Sequence, residues 1–297
     1  MTRTTLAIAF LCCAAAQGDS YREALEKFQR KQYQEALPLA EAALSQNPGD
    51  AARIHLYGLI QAALRRLEPA EENLRKAVAL APNQSTYQFD LGYLLHQEKR
   101  YSEALPVLKR AVELDPENLL ARFALARTYV LSFHELKIPN FVDLTLEQLS
   151  FIAKEDPRFP GVHHHLALVY INTGEQAKAR DELRTELRYH PESTQARLEL
   201  GETLVRLNEY RQAIEELEIA ARQAPQVYSI YYALAKAYKA DGQKTQALEA
   251  ARKSVELNPG FADGQYLLGQ LYRDSGQPDL AKQHLEAFRR LKSPPAP

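Results

Sequence analysis

Apolar and polar positions along the chain follow the period of an α-helix and not that of a strand. In "EALPVLKRAVELDP" and "QAIEELEIAARQAP" apolar residues recur every three or four positions, which lines them along one helix face. Each such run ends in a proline. Proline lacks the backbone N–H and clashes with the preceding turn, so a helix stops there. These prolines fall at 48, 82, 116, 157, 191, 225 and 259, at intervals of 34, 34, 41, 34, 34 and 34. The pattern predicts a 34-residue module of paired amphipathic helices, repeated along the chain and broken in step once.

Small residues keep the same beat. With each proline as position 32, position 8 holds Ala24, Gly58, Gly92, Ala126, Ala167, Gly201, Ala235 and Gly269. Position 20 holds Ala36, Ala70, Ala104, Thr145, Ala179, Ala213, Ala247 and Ala281. Small side chains at fixed points let two helices approach where they cross. Leu91, Leu166, Leu200, Leu234 and Leu268 stand at position 7, and Tyr33, Tyr101 and Tyr210 at position 17. In phase and residue type this resembles the tetratricopeptide repeat family from residue 17 to about residue 293. The resemblance implies an all-α, right-handed superhelical solenoid of about eight antiparallel helix pairs. The repeats are expected near 17–50, 51–84, 85–118, 119–159, 160–193, 194–227, 228–261 and 262–293, with 294–297 as a disordered tail. Four positions depart from the family pattern: Glu23 at position 7, and Ile152, Glu186 and Phe288 at position 27. Ser20–Tyr21–Arg22–Glu23 reads as a capping box opening the first helix.

The resemblance further implies that positions 2, 5, 9, 12 and 13 line a concave groove. Position 5 reads Tyr21, His55, Phe89, Phe123, His164, Leu198, Tyr232 and Tyr266, a ladder of rings suited to an extended peptide. The alternative is that some of these rings pack against the next repeat. The middle of the stripe is apolar, with Tyr93, Phe123, Val130, Leu131, Leu168 and Ile171, and Arg127 also lies on it. The C-terminal end is more basic, with Arg206, Lys236, Lys239 and Arg273, partly offset by Glu202 and Asp274. Such a groove fits a ligand with an apolar core and an acidic end. Position 9 carries no asparagine, so the carboxylate clamp of chaperone-binding family members is not expected.

The break in step lies between Ala126 and Thr145, which are 19 positions apart in place of 12. The surplus is expected as a loop between the two helices of the fourth repeat, turning at Pro139–Asn140, with Thr145 or Gln148 capping the next helix. Phe133, Ile138 and Phe141 make it unusually apolar. They either plug the junction near Ile152 or form a contact at the groove edge.

Composition narrows the function. Lys and Arg number 37 against 38 Asp and Glu, so the cation excess that phosphate contacts require is missing and no nucleic-acid partner is expected. The segment "MTRTTLAIAFLCCAAAQ" has one cation, a short apolar run and a small-residue site, the pattern of a secretory signal peptide cleaved near Ala16. A periplasmic or secreted protein is expected. Lipidation at Cys12 or Cys13 is the alternative, although neither follows a small residue. These are the two cysteines of the chain, so the exported form has no disulfide or thiol chemistry. His163, His164 and His165 are consecutive on a helix and point about 100° apart, so they do not converge on one ion. No P-loop, G-x-S-x-G or H-E-x-x-H motif occurs. The expectation is a non-enzymatic scaffold with no catalytic residue, metal or cofactor, which binds a protein or peptide partner. An accessory role in an envelope enzyme or outer-membrane assembly is the alternative, and a small-molecule binder or enzyme a more distant one.

Overall fold

The computed structural model describes residues 19–136 and 140–293, without the side chains of Asp19 and 133–136. The expected leader with Cys12 and Cys13, the tail 294–297, Ile138 and the side chain of Phe133 lie outside the described residues. Among the described residues there are sixteen α-helices and no strand. The chain divides into two compact units, residues 1–152 and 153–297.

The N-terminal unit contains α1 (Asp19–Gln29), α2 (Tyr33–Gln46), α3 (Ala51–Ala63), α4 (Leu67–Leu80), α5 (Ser85–Gln97), α6 (Tyr101–Leu114), α7 (Leu119–Leu136) and most of α8 (Phe141–Glu155). The C-terminal unit contains α9 (Val162–Thr173), α10 (Gln176–Tyr189), α11 (Thr194–Arg206), α12 (Tyr210–Gln223), α13 (Tyr228–Ala240), α14 (Lys244–Leu257), α15 (Ala262–Asp274) and α16 (Pro278–Lys292). α1 packs on α2, α3 on α4 and α5 on α6, as do α9 on α10, α11 on α12, α13 on α14 and α15 on α16, and within each unit the second helix of a pair packs on the first helix of the next, the arrangement of a solenoid of helix pairs.

The glycines at position 8, Gly58, Gly92, Gly201 and Gly269, meet the leucine at position 24 of the second helix. A Cβ added to Gly92 would lie 2.8 Å from the Leu108 side chain, and one on Gly201 would overlap Leu217. Where position 24 is small instead, as at Ala40 and Ala251, position 8 is alanine, at Ala24 and Ala235. In these pairs the volumes are complementary, as close packing demands, while Ala126 and Ala167 stand in register with leucines, Leu149 and Leu183. Ala36, Ala70, Ala104, Thr145, Ala179, Ala213 and Ala247 at position 20 are all fully buried.

Every helix pair turns through one left-handed residue at position 15. These are Lys31, Arg65, Lys99, Asn140, Gly174, Asn208, Gly242 and Gly276, with φ between 56° and 83°. The following N–H donates to the carbonyl five residues back, as in Arg66 to Gln61, Arg100 to Leu95 and Glu209 to Leu204, each at 2.9 Å. This is a Schellman turn, which satisfies carbonyls left open at the helix end.

A second staple joins successive repeats. The side chain at position 4 donates to the carbonyl of the preceding helix-stopping proline. Gln88 bonds Pro82 (2.9 Å), Arg122 Pro116 (2.6 Å), Arg197 Pro191 (2.8 Å), Tyr231 Pro225 (3.2 Å) and Gln265 Pro259 (2.9 Å). The stopping proline therefore ends one helix and anchors the next.

The fourth repeat differs from the loop expected of it. The turn residue Asn140 keeps its place 17 residues before Pro157, with φ 56°. The surplus sits ahead of that turn, and much of it is helix: α7 has 18 residues, where α3, α5, α11, α13 and α15 have 13. A run with strong helix formers simply continues the helix. Thr145 and Gln148 do not cap α8. They lie inside it, both buried, with the Thr145 hydroxyl donating to the Phe141 carbonyl and Gln148 accepting from Arg122 at 2.7 Å. Ser20 likewise stands within α1.

Candidate functional site

The position-5 residues do not form one open ladder. Tyr21, His55 and Phe89 in the N-terminal unit are buried, as is Leu198 in the C-terminal unit. The reason is local: adjacent first helices approach closely enough for position 5 to meet the next repeat. His55 stacks on Tyr87 at 4.2 Å and shares a 2.8 Å hydrogen bond between its Nε2 and Asp90 Oδ2. Burial raises the Asp90 carboxyl above the ordinary range, and the His55 bond opposes that shift. Asp90 Oδ1 makes no hydrogen bond.

Phe89 stacks on Tyr93 at 5.8 Å. Tyr93 is half-buried and lines a cavity of about 150 Å³ with Leu59, Leu67, Leu94 and Asp90. Behind it, buried His96 shares a hydrogen bond between its Nδ1 and the Thr128 hydroxyl at 2.8 Å. Desolvation, aided by the nearby Arg127 charge, lowers the His96 pKa to about 4. Phe123 is half-buried, with the Arg127 guanidinium 5.9 Å from its ring centre. Of the predicted groove residues of this unit, His55 and Phe89 are therefore packed away, whereas Tyr93, Phe123 and Arg127 are half-buried. Phe141 of the predicted insertion is half-buried at the start of α8.

In the C-terminal unit the three consecutive histidines have three separate partners. His163 Nε2 donates to the Pro157 carbonyl (3.1 Å), which is the position-4 staple, and its Nδ1 lies 2.6 Å from Glu182. His164 Nε2 lies 2.7 Å from Glu199, which raises its pKa against the opposing effect of burial. His165 Nδ1 donates to the Gly161 carbonyl at 2.8 Å. Glu186, one of the departures at position 27, is buried and accepts a 3.2 Å bond from the His164 backbone N–H. The residue before α9 is Gly161, which has no side chain to cap the helix. Glu186 supplies that missing cap from α10. Leu168 is half-buried.

Four predicted residues do come together. Tyr232, Lys236 and Lys239 of α13 and Tyr266 of α15 line an open depression of about 500 Å³ with Val205, Leu267 and Gln270. Tyr266 is 43% exposed, and both lysines are exposed. The rings are held from behind: Phe261 lies edge-on to Tyr232 at 4.9 Å and Phe288 against Tyr266 at 5.0 Å. Lys236 Nζ lies 5.5 Å from the Tyr232 ring centre, and Lys239 Nζ donates to Gln270 Oε1 at 3.2 Å. Burial raises the Tyr232 phenol pKa, with smaller contributions from Asp263 and Glu202. Arg206 and Arg273 are exposed outside the depression, and Arg273 lies 3.8 Å from Asp274. Apolar walls with a few fixed polar groups are the make-up of a ligand-binding pocket.

Among solved structures, PilW, described as a widely conserved type IV pilus biogenesis factor, shares the fold. Its TM-score is 0.61 at 17% identity, covering 75% of this chain and 100% of that one. A chain of the Cut9–Hcn1 hetero-tetramer of the APC/C matches with a TM-score of 0.55 at 15% identity, covering 92% of this chain and 52% of that one. MamA MSR-1 C2 matches with a TM-score of 0.51 at 25% identity, covering 59% and 97%. A curated relative, the UDP-N-acetylglucosamine–peptide N-acetylglucosaminyltransferase of Giardia intestinalis, is 26% identical over 199 residues. That match covers 63% of this chain and only 13% of the transferase. Tetratricopeptide repeat patterns match residues 58–119, 165–228, 198–262 and 262–288. With helix pairs, position-8 packing and stopping prolines all in phase, the chain belongs to the tetratricopeptide repeat family.

Proposed function

We propose that this protein is a non-enzymatic interaction scaffold that holds a peptide segment or partner protein, and that it is exported to the cell envelope. The depression of Tyr232, Lys236, Lys239 and Tyr266 carries the binding part of this reading. It presents aromatic area already ordered by Phe261 and Phe288, so a ligand gains contact without the cost of fixing those rings. The export part rests on the short apolar run and small-residue site of residues 6–16. An accessory role within an envelope assembly is the second reading. It is favoured by the same leader, and PilW, a pilus biogenesis factor, is one protein of this fold with a role in assembly.

A photo-crosslinking amino acid at Tyr266 tests the site in the source cells. A discrete adduct is expected, and it should weaken when Tyr232→Ala is added. The same purified protein should have a mass that begins at Gln17. A chain retaining residues 6–16 would sink the export reading and leave the site reading standing, and a lipid-modified Cys13 would replace cleavage at Ala16 by lipidation.

A further inference from the structure

We infer that the depression on α13 and α15 is built for an acidic peptide of defined spacing: an apolar or aromatic side chain at one end and a carboxylate about three residues away. This deepens the scaffold reading and rests on it. The two ends of the site differ in chemistry. Tyr232 stands seven residues before Lys239 on α13, which places them about 10 Å apart along the helix at 1.5 Å per residue. An extended peptide covers that distance in about three residues.

At the first end the ligand meets ring faces. Tyr232 and Tyr266 are both braced by phenylalanines, and Val205 and Leu267 complete the lining. The carboxylates that act on Tyr232, Asp263 and Glu202, belong to this end. Lys292 counters Asp263 at 3.4 Å. The ring faces and aliphatic walls of this end favour an apolar side chain.

Away from the rings the ligand meets ammonium groups, first Lys236 beside Tyr232 and then Lys239 at the far end. Lys236 and Lys239 are three residues apart on one face of α13 and both line the depression. Neither has a carboxylate within salt-bridge distance among the described residues. Lys239 is steadied by the neutral Gln270 amide, and Lys236 lies against the Tyr232 ring. Elsewhere in this unit Arg180 is paired with Glu209 and Arg197 with Glu216, so the two lysines differ from these cations. Two oriented, charge-unsatisfied ammonium groups at one end of a concave aromatic site are complementary to a carboxylate brought by a ligand.

The test is a random decapeptide display library selected against the full chain, with the best binder synthesised and titrated. Selected peptides should place Asp or Glu three residues from Leu, Phe or Tyr. The affinity of the best binder should fall at least tenfold in Lys236→Gln/Lys239→Gln, and also when its acid is replaced by the amide. Peptides without an excess of acids, or equal affinity for the lysine variant, would overturn the inference. Tyr232→Ala/Tyr266→Ala separates the two levels. Binding lost in that variant but unchanged in the lysine variant leaves the groove standing and removes the acid. Binding unchanged in both removes the groove as well. Circular dichroism of each variant, all of them on solvent-accessible side chains, confirms an intact helix content.

Discussion

His55–Asp90 in the N-terminal unit and His164–Glu199 in the C-terminal unit are one construction used twice. Each joins position 5 of one repeat to position 6 of the next, 35 residues away, through Nε2 and a carboxylate oxygen. Their surroundings differ. His55 and Asp90 have side chains 5% exposed, whereas those of His164 and Glu199 are 22% and 12% exposed. In the dry site desolvation dominates, and it raises the acid. In the wetter site the hydrogen bond dominates, and it raises the histidine. The same geometry thus leaves desolvation dominant at one carboxylate and the hydrogen bond dominant at one histidine, in step with water access.

The largest effect that would break this comparison comes from cutting each pair in turn. Removing one member of a buried pair strands its partner, at a cost of about 3–5 kcal/mol. Asp90→Ala is therefore expected to lower the urea midpoint sharply, and His55→Leu/Asp90→Leu to recover most of the loss. Glu199→Gln should cost about 1 kcal/mol, because water reaches its partner. Equal losses in the two units would show that burial is not what distinguishes them.

Acid and alkali should separate the units next. His96 is neutral in the folded protein, with a pKa near 4. Its unfolded form takes up a proton near pH 6.5, so the native state loses stability as pH falls from 6.5 to 4. The loss amounts to about 3.5 kcal/mol, from some 2.5 pH units at 1.4 kcal/mol each. His164 has the opposite sign. Its folded pKa lies above the ordinary value, so its contribution is complete below pH 6.5 and fades as pH rises through the folded pKa. Asp90, raised by burial, favours the folded state at low pH and masks part of the His96 effect. Denaturation curves of the wild type and His96→Gln, compared at pH 7 and pH 4.5, isolate the first term. A wild type and Glu199→Gln comparison at pH 6 and pH 9 isolates the second.

The fold was legible because repeat packing depends on residue size at fixed positions. Ala70 or Gly92 has to be small wherever helices cross, and that leaves a trace in the sequence. The site was less legible, because periodicity gives the face of a helix but not how near the neighbouring helix comes. Phe89 and Tyr266 share position 5, yet one is buried and the other open. Two further signals lie in the register of the repeats. Asn140 stands in the same place as Gly174, Asn208 and Gly242, residues that tolerate left-handed backbone. That register puts the surplus residues of the fourth repeat before the turn and not within it. A polar residue at position 4 in six successive repeats also marks the staple to the proline carbonyl.

Those turns yield a smaller prediction. The N-terminal unit places Lys31, Arg65 and Lys99 in left-handed conformation, whereas the C-terminal unit uses Gly174, Asn208, Gly242 and Gly276. A Cβ in that conformation costs about 1–2 kcal/mol, and glycine returns part of the gain as entropy lost on folding. Lys31→Gly, Arg65→Gly and Lys99→Gly should each stabilise by about 0.5–1 kcal/mol, and Gly242→Lys should destabilise by a similar amount. The steric cost lies in the turn itself, since open space surrounds Gly242. Unchanged melting in all three glycine variants would show that the lysines and arginine recover the cost elsewhere.

The smallest expected effect concerns a pair with its charges exchanged. Position 21 of one repeat meets position 16 of the next in both units. In the N-terminal unit the acid comes first, Glu71 to Arg100 at 2.5 Å. In the C-terminal unit the base comes first, Arg180 to Glu209 at 2.7 Å. If the slot required only opposite charges, Glu71→Arg/Arg100→Glu would be neutral. The neighbours argue otherwise. Arg75 bonds Glu71 at 2.8 Å, and Glu98 and Glu103 both bond Arg100, at 3.1 and 2.8 Å. The exchange therefore sets like charges beside one another at both ends. Each single reversal should cost about 1 kcal/mol, and the double should recover only the direct coupling, about 0.5 kcal/mol for a pair this exposed. Raising the salt should shrink all three differences together. A double variant as stable as the wild type would mean that the flanking charges are spectators, and that charge order in this slot carries no information about which unit it belongs to.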